Sequence, residues 1–178
     1  MKPEVPDGRR NIPVYNEEKV IRGVINSIPK KIKGVKKISI IAVNDGSIDD
    51  SAGQIKKTKA LLVNLPFNLG IGLATSTGIE AGKILGTDIL VTMDGDGQHD
   101  PAGIPALLDA HSESGADVVI GTFAERLSPA KRLAWRWFRI LTGLKVEDLT
   151  SGLRVYNRRA IEVLALSLIH ISEPTRPY

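Results

Sequence analysis

Five short apolar runs punctuate this chain: NIPV at 11–14, KISIIAV at 37–43, ALLVNL at 60–65, DILVTM at 88–93 and ADVVIG at 116–121. Each is rich in aliphatic or β-branched residues and too short for a helix, so each is predicted to be a strand. Between them, residues 17–28, 49–58, 70–85 and 102–114 are predicted to be helices. The order is βαβαβαβαβ. Strands that are apolar along their length and separated by helices belong to a sheet covered on both sides. The fold class is therefore α/β, a mostly parallel central sheet with helices on both faces and right-handed crossovers.

In such sheets ligands bind outside the carboxyl ends of the strands. Those ends are polar here. Asn16 and Glu17 follow the first run, Asn44, Asp45 and Ser47 the second, and Asn68 and Gly70 the third. Asp94, Asp96, Gln98 and His99 follow the fourth. Taken singly, each has an ordinary structural reading: Asn16 as a helix cap, NDGS as a turn, NLGIG as a loop and cap. Their joint placement on one rim points to a site.

The stretch ILVTMDGDGQHDP is the sharpest part of that rim. Carboxylates crowded at a strand end repel one another unless a cation or partner offsets the charge. Asp94 and Asp96, separated by one glycine, can both face a hard divalent ion, and oxygen ligands of this type suit Mg²⁺ or Mn²⁺ shared with substrate phosphates. The chemical rival is a DxD phosphatase nucleophile, but that motif lies on the first strand of its fold, and this one follows several βα units.

Composition narrows the classes. A length of 178 residues with 42% hydrophobic content fits one domain with a real core. The chain has no cysteine, which excludes disulfides, thiolate metal sites and thiol nucleophiles. No apolar run approaches the roughly 20 residues needed to span a bilayer, and MKPEVPDGRR has no signal-peptide core, so any membrane contact is expected to be peripheral or through a segment not present. A net charge of +4 hints at anionic partners but is too small for a dedicated nucleic-acid binder.

IPVYNEE, VNDGSIDDS, NLGIGLATSTGI, MDGDGQHDP and DLTSGLRVYNRRAI, in that order, resemble the inverting family-two glycosyltransferases, most closely those of the dolichol- or polyprenyl-phosphate mannose synthase type, over about residues 11–165. The resemblance implies the GT-A fold for nucleotide-diphosphate sugars. It implies Pro13, Tyr15, Glu17 and Asp45 around the nucleoside, with Asn68 and Gly70 on the same cofactor side, and Asp94, Asp96 and Gln98 around the metal and diphosphate. Ser151 and Arg154 of TSGLR would belong to the acceptor side, and Arg126 and Arg132 would contact phosphate. The donor would be GDP-mannose or a UDP-sugar, the acceptor a polyprenyl phosphate, and the location the cytoplasmic face of a membrane. Where families of this type have Phe, Leu153 stands. An acceptor that is already an ionised phosphate requires no general base, consistent with the lack of any Ser/His/Asp arrangement. Of the three histidines, His99 reads as a supporting residue and His111 as a surface residue.

Between Arg126 and Arg139 five basic residues mix with Trp135, Trp137 and Phe138. This is either a partly buried helix with a solvated basic face or a helix lying at a membrane surface. PDGRRN stands where the family has an apolar run, so the first strand is expected to be shortened. LSLIHISEPTR from Leu166 looks like a translated sequencing-library adapter. Residues 1–165 are therefore expected to form a C-terminally truncated catalytic domain, and 166–178 a non-native, largely unpacked tail. Three function classes stay open: a metal-dependent transferase acting on polyprenyl phosphate, a related transferase with a saccharide acceptor, and an inactive nucleotide-sugar-binding fragment.

Overall fold

The computed structural model describes residues 6–98, 100–121 and 151–172, with side chains as far as Leu166. Six strands form one sheet: β1 (Asp7–Val14), β2 (Lys37–Asn44), β3 (Leu61–Asn64), β4 (Ile89–Thr92), β5 (Val118–Ile120) and β6 (Arg154–Asn157). Their order across the sheet is β3-β2-β1-β4-β6-β5. The β1–β2, β1–β4 and β2–β3 pairs are parallel, and β6 runs antiparallel to both β4 and β5. The α/β class and the mostly parallel sheet are as expected. β6 was not anticipated: a four-residue strand following SGL lies between β4 and β5 in the sheet.

The helices are α1 (Ile21–Ser27), α2 (Ser51–Lys56), α3 (Ile71–Ile84), α4 (Ile104–Ser114) and α5 (Arg158–Ser172). Strand alternation divides the core between two faces. Ile12, Val14, Ala42, Val91 and Met93 pack with Ile21, Val24 and Ile25 of α1, Ile55 of α2 and Ile104 of α4. On the other face Ile41 and Val43 pack with Ala74 of α3, while Leu90 and Tyr156 meet Ile79 of α3 and Ile161 of α5. α5 had no predicted counterpart, and the expected domain boundary at 165 falls inside it.

β1 corrects the expected short first strand. It runs for eight residues in register with β2, from Asp7 opposite Lys37 to Val14 opposite Asn44. Ladder hydrogen bonds come from the backbone and do not depend on apolar side chains, and the polar start is held locally. The Asp7 N–H donates to the Asp88 carboxylate at 2.9 Å, and Arg9 donates to Thr87 Oγ1 at 2.7 Å. The consequence is that Arg10 is fully buried in a central strand, where only one guanidinium nitrogen, Nη1, finds an acceptor, the Arg9 carbonyl at 3.2 Å.

Candidate donor and acceptor clefts

The carboxyl ends of β1, β2 and β4 converge on a cleft of about 320 Å³ lined by Pro13, Tyr15, Glu17, Asp45, Asn68, Gly70, Asp94 and Asp96, with Val14, Ile71, Ala74 and Gly95 completing the wall. Every residue expected on the cofactor side lines this one cavity, as do both aspartates of DGDG. Gln98 does not line it. Its N–H donates to the Asp96 carboxylate at 2.8 Å, which fixes the turn that presents Asp96.

Loop conformation on this rim is held by side chains. Asn16 does not cap α1, which begins at Ile21; instead it adopts a left-handed conformation with φ of 56° and bridges to the β2–α2 loop. Its N–H donates to Ser47 Oγ at 3.0 Å and its side-chain oxygen accepts from the Ile48 N–H at 3.0 Å. Asp45 is buried, and its two oxygens accept from the Leu69 and Gly70 N–H groups at 2.8 and 2.9 Å. The carboxylate thus pins the β3–α3 loop and leaves lone pairs that can still accept from a ligand N–H. Gly70, at φ 89° and ψ 154°, takes a backbone conformation that a side chain would strain. It brings the first turn of α3 to the cleft, where N–H groups have no partner within the helix.

The rim is strongly acidic. Burial pushes the Glu17 carboxyl above its ordinary value, and the nearby charges of Asp96 and Asp49 push it further. For Asp49 burial works upward too, but hydrogen bonds from the Ser51 hydroxyl, the Ser51 N–H and the Glu18 N–H outweigh it and hold the group below the usual carboxylate range.

A second cleft, of about 560 Å³, shares Pro13, Ile71 and Asp94 with the first. Its wall includes Ser151 and Arg154, the two expected acceptor-side residues, beside an apolar surface of Ile79, Met93, Val118, Tyr156 and Leu164. β6 brings this turn to the site. Thr92 Oγ1 at the end of β4 donates to the Gly152 carbonyl at 2.9 Å, and Arg154 Nε donates to the Ser151 carbonyl at 2.9 Å. A side chain at Gly152 would collide with the Asp94 carboxylate, so Asp94 lies directly against the backbone of the turn that carries Ser151. Gly95 is similarly constrained, since a Cβ there would sit 2.9 Å from the Pro13 carbonyl oxygen.

Sequence reasoning missed the contribution of α3 to this second cleft, through Gly72, Thr75 and Ser76. The signal was present in TST (75–77), a polar run within the otherwise apolar first half of α3, but only the fold shows which cavity it borders. Arg126, Arg132, His99 and the tryptophan-rich segment lie outside the described residues. His111 is half-buried on α4, where burial pushes its imidazole below the ordinary value.

The metal set predicted from sequence finds two carboxylates in one cleft, and no group of three His, Cys, Asp or Glu side chains that could hold a metal ion occurs among the described residues. Two carboxylates sharing one cleft match how Mg²⁺ and Mn²⁺ are held when a substrate and water supply the remaining ligands. The residues present therefore fit such an ion only as a site completed by a bound diphosphate.

Among known proteins, the chain is 30% identical to a UDP-N-acetylglucosamine–dolichyl-phosphate N-acetylglucosaminyltransferase of Methanococcus voltae, over 88% of this chain and 72% of that one. It is 29% identical to the polyprenol monophosphomannose synthase of Mycolicibacterium smegmatis, over 89% and 64%. It is 31% identical to the undecaprenyl-phosphate mannosyltransferase of Micrococcus luteus, over 89% and 69%. The fold is similar to that of glucosyl-3-phosphoglycerate synthase from Mycobacterium tuberculosis, whose complex with Mn²⁺, UDP-glucose and phosphoglyceric acid superposes with a TM-score of 0.68 at 24% identity, covering 93% of this chain and 64% of that one. Residues 11–169 match the family described as glycosyl transferase family 2, so with its GT-A-like sheet and its paired clefts at the strand ends this chain belongs to the family-two glycosyltransferases.

Proposed function

We propose that the chain transfers a sugar, with inversion, from a nucleotide-diphosphate donor to a polyprenyl phosphate. The observation that carries this reading is the position of Asp94 on the wall shared by two clefts of different chemistry. One cleft carries the carboxylates Glu17, Asp45, Asp94 and Asp96, the other joins an apolar surface to Ser151 and Arg154. A donor in the first and an amphiphilic phosphate in the second would meet at Asp94.

In this reading Pro13 and Tyr15 flank the nucleoside and Asp45 accepts from an N–H of its base. Asp94 and Asp96 would hold Mg²⁺ or Mn²⁺, which when bound offsets the charge developing on the departing diphosphate. Arg154, placed by its hydrogen bond to the Ser151 carbonyl, orients the acceptor phosphate, and Arg126 and Arg132 are proposed as further phosphate contacts. The acceptor oxygen is already ionised at neutral pH, so no side chain need remove a proton. A bond forms between that oxygen and the anomeric carbon as the bond from the anomeric carbon to the diphosphate oxygen breaks. Attack from the face opposite the leaving group would invert the anomeric centre, and two clefts that share Asp94 leave room for donor and acceptor to approach as separate groups. The donor is GDP-mannose or a UDP-sugar, and the protein would work at the cytoplasmic face of a membrane by peripheral contact. No helix among the described residues is long and apolar enough to cross one.

The test is transfer of labelled sugar from GDP-mannose and from UDP-sugars to undecaprenyl or dolichyl phosphate, with the product anomer read by NMR. One donor should give an inverted lipid-linked product. Arg154→Ala should raise the acceptor KM by about tenfold, the loss of one charged hydrogen bond, and leave donor affinity unchanged. Transfer to a free saccharide but not to the lipid phosphate would overturn the acceptor assignment, and donor binding without any transfer would show a nucleotide-sugar-binding domain only.

A further inference from the structure

At the pole opposite the clefts, the sheet has an unfinished edge. β2 pairs with β1 over its whole length, Lys37–Asn44, but β3 covers it only from Ile41 onward. Among the described residues no strand pairs with Lys37–Ile40 on the side away from β1, so the backbone groups that point that way have no ladder partner. The chain between α2 and β3 turns aside there, and a groove of about 550 Å³ opens between it and the exposed edge. Ile25, Ile28, Ile38, Ile40 and Ala60 supply its apolar lining, and Lys30, Lys57 and Lys59 stand around it.

The charge around this groove is predominantly positive; Asp7, opposite Lys37, lies on the β1 side of β2, away from the groove. PKKIKGVKK (29–37) and KKTK (56–59) contribute eight lysines, all exposed. No acidic residue occurs from Lys19 to Asn44 or from Ser51 to Ile79. The acidic groups nearest in sequence, Asp45, Asp49 and Asp50, lie at the carboxyl ends of the strands, although Lys57 Nζ comes within 3.7 Å of Asp50.

We propose that this edge is a docking site for an acidic, extended polypeptide segment, which adds to β2 as a strand beside Lys37–Ile40, sets apolar side chains into the groove and sets carboxylates among the lysines. Strand addition to an open edge draws its affinity from main-chain hydrogen bonds and its selectivity from alternate side chains. The observations favour this occupant over three others. A second copy of the chain would bring lysine against lysine, the charge arrangement that keeps edges from self-pairing. A lipid surface offers no backbone groups to an unpaired edge. A nucleic acid gains little here, because the groove is lined by neither arginine nor aromatic side chains and has an apolar floor.

The experiment uses the whole chain and a fluorescein-labelled peptide of alternating Glu and Val, with a Lys-for-Glu counterpart, phosphatidylglycerol vesicles and a single-stranded oligonucleotide as the other arms. Anisotropy should show salt-sensitive binding of the acidic peptide at least tenfold tighter than of the basic one, and hydrogen exchange should slow at Ile38 and Ile40, whose N–H groups face away from β1. The triple variant Lys30→Glu/Lys37→Glu/Lys59→Glu should lose at least tenfold in affinity with manganese-dependent nucleotide binding unchanged. Should that variant fail to fold, the corresponding triple Gln variant should show a smaller loss in the same direction. Equal binding of the two peptides, binding without protection at Ile38 and Ile40, or binding of vesicles or oligonucleotide in preference to the acidic peptide would each overturn the proposal.

Discussion

Asp94 touches both halves of the site, and what lets it do so is the missing side chain at Gly152. Gly152→Ala would drive a methyl group into the carboxylate. It is expected to reduce transfer by about a hundredfold, in line with the cost of small displacements at a reacting centre, with the far-ultraviolet circular dichroism retained; full activity would show that Asp94 does not need this position. Glu17 makes a different prediction. Its carboxyl is raised by burial and by the charges of Asp96 and Asp49, so the folded protein holds this proton more tightly than the unfolded chain does. Stability from that source is present at low pH and lost as pH rises through the raised value. At neutral pH the ionised group therefore weakens the fold, and Glu17→Gln should raise the thermal midpoint there. The gain should fade as the buffer is made acidic enough to protonate Glu17 in both states. A series of melts across pH checks the sign, and a midpoint lowered at pH 7 would contradict it.

At the scale of elements, β1 places a cation where a parallel sheet ordinarily has an aliphatic residue. Burial pulls the Arg10 guanidinium down to about 10, and Nε and Nη2 have no hydrogen-bond partner. The lowered value means that the charged form is disfavoured on folding, a penalty present in full at neutral pH and relieved only as pH climbs past about 10. From the size of the shift the penalty is on the order of 3 kcal/mol. Arg10→Leu should thus raise the thermal midpoint by several degrees, as measured by calorimetry. Asp45 makes the complementary case, a charge that supports an element. Asp45→Ala removes the acceptor for the Leu69 and Gly70 N–H groups and should speed hydrogen exchange at both before any global loss of structure.

These elements also show what the sequence could and could not convey. The runs KISIIAV and DILVTM announced β2 and β4 because continuous apolar stretches have few other uses in a βα alternation. β1 was underestimated because DGRR carries no apolar signal, and its pairing is a property of backbone placed between β2 and β4. β6 was missed for a related reason. Four residues, RVYN, are too few for periodicity to speak, and their place between β4 and β5 depends on contacts across the sheet such as Thr92 to Gly152. α1 starts later than predicted because YNEE forms the bridging loop of Asn16.

For the whole molecule, the sheet separates charge. Carboxylates gather at the strand carboxyl ends, where the two clefts meet, and lysines gather around the open edge of β2 at the other pole, where Asp7 and Asp88 at the amino ends of β1 and β4 are exceptions. The placement of the first cleft's residues was legible because they follow strands, and topology alone sends all such positions to one edge. The second cleft was legible only in Ser151 and Arg154, through the family resemblance; its apolar wall draws on α3, β5, β6 and α5, and no local pattern predicts that they share a cavity. The expected tail remains an expectation at this scale, and deletion of residues 166–178 should leave the thermal midpoint nearly unchanged, whereas a large drop would show that the segment is packed.

The central claim is that Asp94 and Asp96 build a donor site completed by a divalent ion and a nucleotide diphosphate. The most direct measurement is calorimetric titration of the purified chain with GDP and with UDP, each with and without Mn²⁺, repeated for Asp96→Ala. Binding of one nucleotide is expected, dependent on manganese and lost in the variant while its circular dichroism is unchanged. A folded chain that binds neither nucleotide, or binds one equally well without manganese and without Asp96, would contradict it.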